Sequence, residues 1–356
     1  MKNDLTLKRR EPLTDSNLLF LIASCIFVFL YSFAMIAFPK EGFLTFQKFF
    51  DLFNNNASLI ILACGLSIVM VGGGIDISVG GVTALVTMVC AVFLKSGAGN
   101  VLSALCLALC VGLGFGAVQG FLVAYLDIQP FIITLAGMIF ARGVATVISG
   151  SALRVEHEGF VSLANTKLEI GFLGRSANNN WIPLKIELGL FVALLVVAAL
   201  AVLLKWTRLG RNLYAVGGNK QSALTLGINV RRTKFFSYLI CGLLAGIAGF
   251  VYLLKSRSGY ATHAGAFEMK AIAASIIGGT MLTGGVGNIL GSPIGVITLM
   301  TIESLVIASG LTNGRQYMLT ITTGAMLCSA ILLQSVVLSR RSKHGAKLAL
   351  PIFKHF

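Results

Sequence analysis

The chain has 356 residues, 56% of them hydrophobic and only 12% charged, with a formal net charge of +15 and a mean hydropathy of +0.88. Soluble domains carry about 25% charged residues, so a soluble globule, a disordered chain and a disulfide-stapled secreted domain are all excluded. What remains is an all-α, polytopic integral membrane protein, because helices satisfy their own backbone polar groups where water is absent.

A basic head (Lys2, Lys8, Arg9, Arg10) precedes the first apolar stretch, 18–38. That stretch is too long for a signal-peptide core and lacks a small-residue cleavage site, so it is expected to remain as the first span. Further apolar stretches follow at 57–71, 78–94, 101–125, 130–149, 184–204, 235–254, 269–282, 289–310 and 317–338. At about 20 residues per crossing they predict about ten transmembrane helices in a single membrane domain over 1–356, with tails at 1–17 and 339–356. The stretches 57–71, 78–94 and 269–282 are short and end in glycine clusters, which predicts broken or re-entrant helices.

The loops divide by charge. The 150–183 loop is mixed (Arg154, Glu156, Glu158, Lys167, Glu169, Arg175) and carries Asn178, Asn179, Asn180 and Trp181, a turn-rich tract suited to the headgroup level. The 205–234 loop holds Lys205, Arg208, Arg211, Lys220, Arg231, Arg232 and Lys234 and no acid; the tail holds Arg340, Arg341, Lys343, Lys347 and Lys354. The positive-inside rule places the head, this loop and the tail in the cytoplasm. Ten spans put all of them on one side.

Catalytic and metal chemistry has no visible machinery. Cys25, Cys64, Cys90, Cys106, Cys110, Cys241 and Cys328 lie in apolar stretches without a CxxC and are expected to be small buried side chains. His157, His263, His344 and His355 lack ligand spacing, so no metal is expected. There is no phosphate-cradling GxxxxGK[ST] motif. The chain is read as a conduit rather than an enzyme.

The first motif, residues 72–81, reads GGGIDISVGG. Gly72, Gly73 and Gly74 interrupt a helix, and Asp76 carries an insertion penalty of about 3 kcal/mol that favours a polar partner or a watery cavity. Ser78 can cap the helix that follows. Either a gate beside a substrate path or a plain turn fits. The second, residues 112–120 (GLGFGAVQG), has small residues at spacing four for close helix packing, with Gln119 free to bond across the bundle or line a pore. The third, 128–138, starts a helix at Pro130 and brings Arg142 near mid-membrane, where Asp76 or Glu303 is the expected carboxylate. Here an internal ion pair and a substrate contact both fit.

The fourth, residues 210–228 (GRNLYAVGGNKQSALTLGI), predicts a short helix over 222–226, freed by Gly217 and Gly218 and ended by Gly227. Exposed Leu224 and Leu226 then call for a partner's groove, or the basic loop rests on anionic lipid. In the fifth, residues 271–295, Gly278, Gly279, Gly284 and Gly285 echo the pairs 73/74 and 80/81 and predict a second broken segment.

Together GGGIDISVGG, GRNLYAVGGNKQSALTLGI and IIGGTMLTGGVGN, in this order over about 57–295, resemble the permease subunits of bacterial ABC sugar importers of the ribose, xylose and galactose branch. PFIITLAGMIFARG and the layout are most similar to a galactofuranose-type permease. The resemblance implies a fold similar to the vitamin B12 importer type, paired with itself or a related permease. It implies a cytoplasmic ABC ATPase, which binds ATP and Mg while this chain binds no cofactor, and a periplasmic sugar-binding protein. The ATPase would dock on the loop formed by Gly210, Arg211, Tyr214, Gly217, Gly218, Asn219, Ser222, Ala223 and Gly227. Ser222 stands where many relatives have alanine, and Pro293 at the start of a span is a further departure. Gly73, Gly74, Asp76, Ser78, Gln119, Arg142, Gly278, Gly279 and Glu303 are the expected path or hinge residues. The competing expectation is a proton- or sodium-coupled transporter using Asp76 or Glu303.

Overall fold

The computed structural model describes residues 15–171, 183–310, 317–329 and 331–332. Long helices dominate: α1 Asp15–Ala37, α2 Phe46–Val71, α3 Val79–Lys95, α4 Val101–Tyr125, α5 Pro130–Ile148, then the short α6 Glu158–Asn165, and α7 Leu188–Trp206. The small helices α8 Arg208–Gly218 and α9 Lys220–Thr225 precede α10 Val230–Ser256, α11 Phe267–Ile277 and α12 Gly291–Ala308, with α13 at Tyr317–Ser329. Four strands, β1 Leu153–Arg154, β2 Lys167–Ile170, β3 Leu184–Glu187 and β4 Ser258–Gly259, make two small antiparallel pairs, β1 with β4 and β2 with β3.

Local sequence explains where the helices start. Thr45 accepts the Lys48 N–H to cap α2. Asn100 and Ser103 form a capping box at α4, Pro130 opens α5, and Asn229 accepts the Arg232 N–H at the start of α10. Helices α2 and α10 are the most enclosed of the long helices and form the centre of the bundle. α4 lies along α10 with glycines face to face: a Cβ on Gly112 would sit 2.3 Å from the Gly242 carbonyl oxygen, and one on Gly116 2.6 Å from that of Tyr238. The second motif is therefore a packing seam.

Side-chain and backbone contacts define two ends. At one, Asp127 after α4 pairs with Lys220, the Tyr214 hydroxyl of α8 donates to the Gly287 carbonyl, and Gly279 lies against Leu19 of α1. At the other, β3 and the ends of α2 and α10 converge: Asn54 donates to the Lys185 carbonyl, Lys255 pairs with Glu187, and β1 pairs with β4.

Among the described residues seven helices are long and apolar enough to cross a membrane; α3 and α13 are shorter apolar helices. With α11 they occupy the ten expected places, but several boundaries differ. α2 begins at Phe46 rather than 57 and bends at Asn56 (φ −116°, ψ 16°), whose amide donates to the Leu52 carbonyl. Polar Asn54, Asn55 and Asn56 hid this turn of helix from a hydropathy reading. Residues 184–187 are strand, not helix, and α7 begins at Leu188. α10 takes in 230–234, part of the expected 205–234 loop.

The 269–282 stretch is broken at its glycines, as expected, and its helix is shorter than the apolar run. α11 has only 11 residues and ends at Ile277, about 16 Å of helix, which cannot cross a bilayer alone. Gly279, Gly284 and Gly285 follow with positive φ, a backbone only glycine adopts freely. The cysteines also divide: Cys64, Cys90 and Cys241 are buried as expected, but Cys25, Cys106, Cys110 and Cys328 are on exposed helix faces. An apolar environment outside the bundle accepts a thiol as readily as the core does. The basic head, Arg175, the 178–181 tract, the tail, His344 and His355 lie outside the described residues.

Candidate functional site

The glycine motifs far apart in sequence meet at the α8 end. α2 stops at Val71, and Gly73 turns the chain with φ +75°. The Val71 carbonyl accepts the Gly285 N–H at 2.9 Å. Between them lies Gly217, near the end of α8. A Cβ there would sit 1.8 Å from the Val71 oxygen and 2.6 Å from the Gly285 nitrogen. A Cβ on Gly284 would come 2.8 Å from the Gly73 Cα, and one on Gly285 2.5 Å from the Gly218 Cα. Three segments thus touch backbone to backbone, which any side chain would prevent. Tyr214 adds a hydrogen bond of 2.9 Å to the Gly287 carbonyl. Packed contacts of this kind pass displacement on, because close-packed atoms have no slack to absorb it.

From Gly73 the chain climbs inward through Asp76 to Ser78, where α3 starts. Asp76, Ser78 and Gln119 are buried together. The Asp76 carboxylate accepts the Ser78 N–H (2.9 Å) and the Ser78 hydroxyl (2.6 Å). Ser78 therefore holds Asp76 and does not cap α3, whose N-cap has no side-chain bond. Gln119 Oε1 lies 3.1 Å from the same hydroxyl, and its amide nitrogen has no partner among the described residues. Gly137 of α5 leaves the space for it, since a Cβ there would sit 2.2 Å from that nitrogen. Gln119 is six residues before the end of α4, so this cluster is about 9 Å inside the bundle.

The start of α11 reaches the same place from the opposite end. Glu268, in its first turn, is buried. A Cβ on Gly80 of α3 would sit 1.9 Å from Glu268 Oε2. Two helix N-termini, each with a buried carboxylate beside it, therefore face one another inside the bundle. That placement sets negative charge against the positive ends of both helix dipoles. Arg142 closes the arrangement: Nη2 is 3.5 Å from Glu268 Oε2 and donates to the Ala264 carbonyl at 3.1 Å, while Nη1 donates to those of Ala261 and His263 at 3.3 and 3.4 Å. The partner is Glu268, not Asp76 or Glu303. The segment it holds includes Ala264 (φ +52°) and Ala266 (φ +61°), a left-handed backbone that costs alanine about 1–3 kcal/mol per residue and persists only when its surroundings enforce it.

Glu303 is occupied elsewhere. Lys270 bonds its two oxygens at 2.8 and 2.9 Å, and Thr323 donates to it at 3.1 Å, tying α11, α12 and α13 together. Gly278 is the C-cap of α11 and lies against Gly291, where a Cβ would meet the Gly291 carbonyl oxygen at 2.3 Å; Gly279 makes the turn with φ +93°. Gly74 is pressed by the Tyr238 hydroxyl, 2.6 Å from a Cβ placed there.

The basic loop is two helices rather than one. Gly217 and Gly218 end α8, and α9 begins at Lys220, two residues before the expected start. Asn219 caps α9 by accepting the Ser222 N–H at 2.9 Å, and Gly227 follows with φ +75°. Gly210 sits under the end of α7, 2.2 Å from the Leu204 oxygen for a Cβ. Ala223 is buried, whereas Ser222 is exposed and Leu224 and Leu226 are 47% and 77% exposed.

Sequence reasoning missed Glu268, Lys270, Gly80, Gly137, Gly284 and Gly285 as site residues. Glu268 had a signal: it is the first acid after Glu187. The opposite end has its own cluster. Burial alone would raise the Glu187 carboxyl, but its bonds to Lys255 and Lys167 outweigh that and hold it below the ordinary glutamate range. Among the described residues no group of three or more His, Cys, Asp or Glu could hold a metal ion.

Residues 49–333 match the family model described as branched-chain amino acid transport system, permease component. The chain is similar to the inner membrane ABC transporter permease protein YjfF of Escherichia coli, 36% identical over 280 residues, covering 79% of this chain and 81% of that protein. It is similar to the fructose import permease protein FruG of Bifidobacterium longum, 34% over 289 residues, 81% and 83%. A ribose import permease protein, RbsC of Escherichia coli, is 35% identical over 267 residues, 75% and 79%. No solved structure is a significant match to the chain.

Proposed function

The chain belongs to this family of transport-system permease components, and from that premise we propose that it is the membrane-spanning subunit of an ATP-driven importer of a monosaccharide. The ribose and fructose relatives support a sugar cargo, and galactofuranose is the first further sugar to assay. The orientation follows the positive-inside rule: the α8 end is cytoplasmic, with both termini on that side. A cytoplasmic ATPase carrying ATP and Mg docks on α8 and α9, where Leu224 and Leu226 stand out from the surface. A periplasmic sugar-binding protein meets the β-strand end, and a second permease completes the passage.

The observation that carries this reading is the glycine junction. A push on α8 is delivered through Gly217 to the end of α2 and to the 279–290 turn without an intervening side chain. From there it reaches the facing N-termini of α3 and α11, where Asp76, Ser78, Gln119 and the Arg142–Glu268 pair are the polar groups that rearrange. Alternating access then needs ATP-driven closure to favour one arrangement of this junction over the other.

The test is uptake of labelled monosaccharide into proteoliposomes holding the chain, its ATPase and its binding protein. Uptake that requires ATP on the α8 side, and that is lost together with ATPase co-purification in Leu226→Asp, is the expected result. Sugar uptake by the chain alone, collapsed by a protonophore, would overturn it.

A further inference from the structure

A cavity of about 600 Å3 opens at the α8 end between the last turn of α7, α8 and the turn before α12. Lys205, Arg211, Tyr214, Asn288 and Leu290 line it, with Ala201 and Leu204 as its apolar wall. None of its lining residues is acidic, and the sequence has no Asp or Glu between Glu187 and Glu268.

Its cations, like several others on the bundle surface, lack the carboxylate partner that some cations have. Arg142, Lys220, Lys255 and Lys270 each have a carboxylate partner. Lys205 and Arg211 are exposed, and neither has one among the described residues. Arg211 donates to the Trp206 carbonyl at 3.4 Å, and the Lys205 ammonium lies 5.3 Å from the Trp206 ring centroid. Trp206 is 66% exposed, the placement of an indole at a membrane–water interface. Asn288 accepts the Leu290 N–H through its side-chain oxygen, which leaves its amide nitrogen as a further donor. Above the cations, exposed Leu194, Leu195 and Val202 continue the apolar face of α7.

We propose that this cavity binds the headgroup of an anionic phospholipid, its phosphate between Lys205 and Arg211 and an acyl chain along α7. Two unpaired cations select negative charge. The apolar wall selects a lipid over a soluble phosphate, which would leave that wall wet. The site is built from α8 and from the turn that Tyr214 holds, so a bound lipid braces the glycine junction from its membrane side. The proposal needs only that this end sits in the headgroup layer; it does not depend on which solute is carried.

The experiment is native mass spectrometry of the full chain in detergent, offered phosphatidylglycerol and phosphatidylethanolamine at equal concentration. The wild type should retain phosphatidylglycerol in preference. Lys205→Gln should reduce that retention about fivefold, and Lys205→Gln with Arg211→Gln about 25-fold, at about one unit of surface attraction per cation. Lys205→Arg should keep it, as should Lys40→Gln, which alters an exposed cation at the opposite end. Equal retention by the double variant would overturn the proposal. So would a loss in Lys205→Arg as large as in Lys205→Gln, or displacement of the lipid by millimolar inorganic phosphate.

Discussion

Each end of this bundle has a junction of its own kind, beside the Asp127–Lys220 pair at one and the β1–β4 backbone pairing at the other. At the α8 end, Val71, Gly217 and Gly285 meet through backbone atoms. At the β-strand end, Glu187, Lys255 and Lys167 meet through long side chains, with Lys255 2.8 Å and Lys167 3.2 Å from the carboxylate. A backbone contact has one geometry and either holds or breaks. A side-chain ion pair can lengthen, rotate or exchange partners at little cost, since exposed pairs contribute only about 0–1 kcal/mol each. The first kind suits transmission of a stroke, the second an opening that receives a partner and releases it. Between the two ends, Arg142 and Glu268 form a more enclosed pair that belongs to neither class.

The contrast can be broken first at the transmitting end. Gly73→Leu with Gly74→Leu puts one side chain on the left-handed Gly73 backbone (φ +75°) and another where the Tyr238 hydroxyl lies; it should abolish uptake while the permease still assembles with its partners, as read by co-purification. The middle comes next. Arg142→Ala leaves Glu268 buried and unpaired and frees the 261–266 backbone. It should cost about 3 kcal/mol of stability and lower the thermal transition, with Arg142→Met plus Glu268→Leu recovering part of the loss. Tyr214→Phe removes one hydrogen bond to Gly287, about 1 kcal/mol, and should reduce uptake several-fold with sugar affinity unchanged.

The smallest effect lies at the strand end. The Glu187 carboxyl sits below its ordinary value, held there by Lys255 and Lys167 against the effect of burial. Its contribution is complete above that value and is lost as pH falls through the depressed one. Lys255→Gln should shrink this acid-side loss, measured as the change in thermal transition between pH 7 and pH 3.5.

Hydropathy made the bundle legible, but in places for different reasons than the folded chain supports. The 101–125 and 130–149 stretches read cleanly because α4 and α5 are long and mostly apolar and have their start signals in the sequence, Asn100 as N-cap and Pro130 in the first turn. The break after α11 was legible in Gly278 and Gly279, but its bounds were overrun because a window average continues along the apolar run beyond those glycines. That Asp76 would need a polar partner and that Gln119 could bond across the bundle was legible from the cost of placing polar groups in an apolar segment, whereas Ser78 was expected as a cap. Their grouping was not, because it depends on Gly137 leaving room on another helix. Arg142 was rightly expected to need a carboxylate, but Glu268 stood at the edge of a predicted span and so was passed over. The glycine pairs did echo one another in sequence, and the folded chain brings Gly73 to Gly284 and Gly217 to Gly285. That is a contact between motifs, which no single motif can announce.

The most direct test is a single Cβ at the centre of the junction. In proteoliposomes holding the whole transporter, Gly217→Ala should leave the ATPase bound and hydrolysing ATP while sugar uptake per ATP falls at least tenfold, because the added atom pushes α8 off Val71 and Gly285. Wild-type uptake per ATP in that variant would contradict the account, since α8 would then drive transport without the contact through which it is said to act.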